Sequence, residues 1–67
     1  MDDMDKLENL IKNGYRVNEV SVDIVGKAII HCEFLGVGEP ADGRVYFIIT
    51  EEPAVIEKAK NYAGSFA

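Results

Sequence analysis

The sequence predicts a two-layer α+β domain in the order α-β-β-β-α: a three-stranded antiparallel meander with an N-terminal and a C-terminal helix packed on one face. Three observations predict it. Apolar residues recur at helical spacing at both ends of the chain, and they alternate with polar ones in EVSVDIVG. Two further β-branched and aromatic runs are separated by the loop GVGEPADG.

The first helix is read from Asp2 to Asn13, where Met4, Leu7, Leu10 and Ile11 share a face. Asp2, Asp3 and Asp5 crowd its start, the end at which the helix dipole favours negative charge, and Asn13-Gly14 supplies a left-handed stop. In the first strand Val20, Val22 and Ile24 alternate with Glu19, Ser21 and Asp23. Tyr15 and Val17 have the opposite parity, which calls for a bulge or an irregular link near Asn18 that separates them from the strand proper. Ala28 to Leu35 and Arg44 to Thr50 read as the second and third strands. The final helix begins at the acidic, proline-marked TEEP and carries Val55, Ile56, Ala59, Tyr62 and Ala63 on one face.

The facing of the second strand follows from the turn before it. A two-residue turn of Val25 and Gly26 would send Ile29, His31, Glu33 and Leu35 inward and bury an acid. A three-residue loop of Val25, Gly26 and Lys27 pairs Ile24 with Ala28, Val22 with Ile30 and Val20 with Cys32. That register sends Ala28, Ile30, Cys32 and Phe34 inward without charge, and Gly26 suits a bulged turn. On the third strand Val45, Phe47 and Ile49 are expected on the same core face. The outer face would then carry Val25, Ile29, Leu35, Tyr46 and Ile48 among Ser21, Asp23, His31, Glu33, Arg44 and Thr50.

Size and charge narrow the function. Residues 1–67 read as one small domain, whose core supplies only about 3 to 5 kcal/mol without a disulfide, a metal or a second subunit. The lone Cys32 forms no internal disulfide, and one His with one Cys is too few for a structural zinc site. A net charge of −5 disfavours nucleic acid and anionic lipid as partners. MDDMDKLENL lacks the basic start and apolar run of a signal peptide, and no run approaches a membrane span, so a cytoplasmic location with a reduced thiol is expected.

The adjacent His31 and Cys32 invite a catalytic reading, but neighbours on a strand point to opposite faces, and Cys32 reads as a buried small hydrophobe. Gly36-Val37-Gly38 lacks the Gly-Lys-Ser/Thr ending of a phosphate loop and leads into a strand. No catalytic residue, cofactor or metal is expected. The leading expectation is a non-enzymatic accessory or regulatory protein, of prokaryotic or phage type. It would pair with itself as a homodimer, or with another protein, through Ile29, His31, Leu35, Tyr46 and Ile48. The alternative is a small-ligand or metal-binding domain using His31, Glu33 and Asp23.

Overall fold

A computed structural model describes residues 2–64 of the chain. The order is α1 (Asp3–Lys12), β1 (Tyr15–Val22), β2 (Ala28–Phe34), β3 (Val45–Thr50) and α2 (Pro53–Gly64). The strands form one antiparallel sheet in the order β1-β2-β3, so β1 and β3 are its edges. Both helices pack on one face, which is the two-layer α+β arrangement expected.

Local chemistry accounts for the helix ends. The Asp2 carboxylate accepts the Asp5 backbone N–H at 2.8 Å, relieving one of the unpaired donors of the first turn of α1. Gly14, at φ +97°, turns the chain out of α1 and into β1. Before α2 the Thr50 hydroxyl accepts the Glu52 N–H at 3.1 Å. The Glu52 carbonyl in turn accepts from Val55 and Ile56. The expected face of α2 is inward: Val55 and Ala59 are fully buried, with Ile56, Tyr62 and Ala63 partly covered. The sequence beyond Gly64 lies outside the described residues.

β1 contains the bulge, placed between Val17 and Glu19, but the strand ends at Val22. Ile24 is therefore not a strand residue; it stands in the turn, fully exposed. The β1–β2 register differs from expectation by two residues. Val22 pairs with Ala28, Val20 with Ile30 and Val17 with Cys32. The loop does have three residues, but they are Ile24, Val25 and Gly26, closed by Asp23 N–H donating to the Lys27 carbonyl at 2.9 Å.

Asp23 is the reason for the shift. Its carboxylate accepts the N–H groups of Val25 and Lys27 at 3.0 and 2.9 Å. Gly26 at φ +87° follows as the left-handed residue of a bulged type I hairpin. Moving the loop by one residue moves the register by two, so side-chain parity survives. Ala28, Ile30 and Cys32 are fully buried and Phe34 packs at the core margin.

β3 faces the other way from the expectation. Ile30 pairs with Ile48 and Cys32 with Tyr46, so Ile48 is a core residue only 3% exposed and Tyr46 packs against the core. Val45, Phe47 and Ile49, assigned to the core by the sequence reading, stand on the outer face. The physical reason is that VYFII is apolar at every position, so no alternation marks its inner side. Its phase is set by pairing with β2 after a long loop. Thr50 can face inward because its hydroxyl is hydrogen-bonded to the chain leading into α2.

The core joins Leu7 and Leu10 of α1, Tyr15 and Val17 of β1, Ile30 and Cys32 of β2, Ile48 of β3, and Val55 and Ala59 of α2. No helix among the described residues is long and apolar enough to cross a membrane.

Candidate interaction surface

The sheet face away from the helices is built as three cross-strand rows. They are Arg16, Glu33 and Val45; Glu19, His31 and Phe47; and Ser21, Ile29 and Ile49. Read along the strands, the β1 column is polar, the β2 column is mixed, and the β3 column is entirely apolar. Polarity therefore falls steadily toward the free edge of β3.

Four apolar side chains on this face remain open: Ile29 is 44% exposed, Val45 47%, Phe47 56% and Ile49 59%. Isolated exposed apolar residues are ordinary, but four in adjacent positions on one sheet face make a patch. The His31 ring lies on the Phe47 ring, with centroids 4.9 Å apart and planes 20° apart, and extends the patch inward. Its polar margin is already organised. Asn18 Nδ2 donates to Glu33 Oε1 at 2.9 Å, and Ser21 Oγ donates to Glu19 Oε1 at 3.0 Å.

The residues expected at the interface separate into two groups. Ile29 and His31 lie on the outer face, and Leu35, just past β2, is half exposed. Tyr46 and Ile48 lie on the opposite, core face and are not part of this surface. The residues that replace them, Val45, Phe47 and Ile49, are the other half of the same strand. A reader of the sequence could find them only by knowing the phase of β3.

The cluster of His31, Glu33 and Asp23 is not brought together. Asp23 is held in the hairpin turn by two backbone N–H groups, while Glu33 sits near the other end of the sheet opposite Arg16. Among the described residues no group of three or more His, Cys, Asp or Glu side chains could hold a metal ion. Cys32 points into the core, away from His31, and burial pushes its thiol up from 9.0 to about 11. A thiol so placed is a poor nucleophile at neutral pH.

A cleft of about 630 Å³ lies on the helix side, between α1 and the β2–β3 loop; Lys6, Leu10, Tyr15, Phe34, Asp42 and Tyr46 are among its walls. Its aromatic wall is structurally committed. The Tyr15 hydroxyl donates to the Gly43 carbonyl at 2.6 Å, and burial, aided by the Asp42 charge, raises its pKa above the ordinary tyrosine value. Phe34 packs against Tyr15 and under the Arg44 guanidinium, which donates to the Gly38 and Phe34 carbonyls at 2.7 and 3.2 Å. The glycine-rich loop is thus tied to the sheet by Tyr15 and Arg44. Comparison of the chain with known protein families, with curated proteins and with solved structures finds no match.

Proposed function

We propose that the chain is a small, non-enzymatic protein-interaction module that acts through the outer face of its sheet, as a homodimer or bound to one protein partner. The observation that supports this reading is the apolar patch of Ile29, Val45, Phe47 and Ile49 beside an ordered polar margin. That is the composition of a protein interface, and it stands on the face that neither helix covers. Phe47, stacked on His31 and central in the β3 column, is its anchor. The same reading places the protein in the cytoplasm as an accessory or regulatory component, with Cys32 kept as a thiol.

Site-specific photo-crosslinking in cells tests it. A benzophenone side chain replacing Phe47 is expected to give a defined protein adduct, either a second copy or one partner. The same group at Val37, fully exposed but in the β2–β3 loop, is the control. Adducts from position 47 no more abundant than those from position 37 would overturn the reading.

A further inference from the structure

The two edges of the sheet are not alike. β1 carries a bulge at Asn18 and exposed charges at Arg16 and Glu19, and α2 lies chiefly over it. Bulges, charges and covering elements are the devices by which folded proteins prevent strands from adding to an edge. From Val45 to Ile49, β3 has none of them: no charge, no proline, no bulge.

The backbone of β3 is open on that side. Phe34 N–H donates to the Arg44 carbonyl at 2.7 Å, which sets the phase of the β2–β3 ladder. In an antiparallel pair, hydrogen-bonded and non-hydrogen-bonded residue pairs alternate. The pairs Cys32–Tyr46, Ile30–Ile48 and Ala28–Thr50 therefore exchange the ladder bonds. The N–H and C=O groups of Val45, Phe47 and Ile49 point the other way, out of the sheet. These are the same three residues whose side chains form the apolar column.

We infer that a second copy of this chain pairs with β3 antiparallel about a two-fold axis at Phe47, making one continuous six-stranded sheet. This inference rests on the outer-face reading and names its occupant. In the dimer Phe47 pairs with its own symmetry mate and Val45 with Ile49 of the partner, so all of the outward N–H and C=O groups of the three residues find partners. The two apolar columns become neighbours across the axis, and on the helix side Tyr46 comes beside the partner's Ile48.

Charge selects the direction. β3 follows Arg44 and leads into Glu51 and Glu52, all three exposed. Arg44 is bonded within its own chain to carbonyl oxygens, which are neutral. Antiparallel pairing brings Arg44 of each copy to the end where the other presents Glu51 and Glu52, whereas parallel pairing would set Arg44 against Arg44. Antiparallel pairing is thus favoured by electrostatics as well as by ladder geometry.

Amide hydrogen exchange by NMR across a dilution series tests the inference. The N–H groups of Val45, Phe47 and Ile49 should be protected at high concentration and lose protection on dilution. A mixed-label sample should show a contact between the α-protons of Tyr46 and the partner's Ile48. Val45→Pro removes an outward N–H without breaking a bond to β2, so it should give a folded monomer. A wild type that stays monomeric overturns the edge dimer, and an adduct with another protein from position 47 would leave the outer-face reading standing. A dimer in which these three amides remain unprotected, and which Val45→Pro does not dissociate, also overturns edge pairing and assigns the contact to face-to-face packing instead.

Discussion

Adjacent residues on β3 should behave as residues of different classes, and the contrast between Ile48 and Phe47 can be worked out from the structure. Ile48 is 3% exposed and packs opposite fully buried Ile30, so Ile48→Ala removes buried methyl groups and leaves a void in the core it shares with Leu7, Leu10 and Val55. Such truncations cost about 2 to 5 kcal/mol. A monomer of this length has roughly 3 to 5 kcal/mol of stability in all, so the variant should lose a large share of it and melt at least about 10 °C lower. Phe47 is already more than half exposed, and Phe47→Ala forfeits part of its burial and the stack on His31. That amounts to about 1 kcal/mol. Urea unfolding followed by circular dichroism measures both. Dilute protein is required, because a dimer interface at Phe47 would add a concentration-dependent term to its variant. If Phe47→Ala proves as costly as Ile48→Ala in the monomer, the facing of β3 derived above is wrong.

Three further outcomes follow from the geometry. Cys32 has a folded pKa raised from 9.0 to about 11, so its contribution is complete below pH 9 and is lost as pH rises toward 11. The loss should be roughly 2 kcal/mol and absent in Cys32→Ala, whose remaining decline above about pH 10 belongs to Tyr15 and to Lys58, whose ammonium is held by Glu8; an unchanged alkaline profile in that variant would contradict the assignment. Asp23→Ala frees the N–H groups of Val25 and Lys27 and should cost about 1 to 2 kcal/mol in urea unfolding, with Asp23→Asn recovering most of it. Arg44→Ala releases the Gly38 and Phe34 carbonyls, and should speed amide exchange in the β2–β3 loop while leaving the exchange of core amides such as Ile30 nearly unchanged.

The helices were legible because each carries an apolar stripe between chemical markers: Asp2 and Asn13-Gly14 for α1, Pro53 for α2. β2 was legible for a different reason. Only one of its two faces can be buried without taking Glu33 inside, so Cys32 goes in and His31 out whatever the details of the turn. The turn itself was misplaced by one residue because the Asp23 carboxylate, read as a strand residue, in fact organises the hairpin. β3 offered no such handle. VYFII satisfies either facing, and its phase depends on a loop whose path is set by tertiary contacts of Tyr15 and Arg44. The expectation of an apolar outer face survives, yet its members on β3 are Val45, Phe47 and Ile49 rather than Tyr46 and Ile48. The correction exchanges the two halves of β3, and the residues it brings outward, Val45, Phe47 and Ile49, are the ones whose backbone N–H and C=O groups point off the free edge, which is what points to strand pairing.

The native mass in solution, measured by light scattering on the wild type and on Phe47→Asp, tests this most directly. The chain has a mass of 7.4 kDa. A wild type at twice that value, with Phe47→Asp folded and back at the single-chain mass, is the predicted result. A wild type that holds the single-chain mass at every concentration, or a Phe47→Asp variant that remains dimeric, would contradict it.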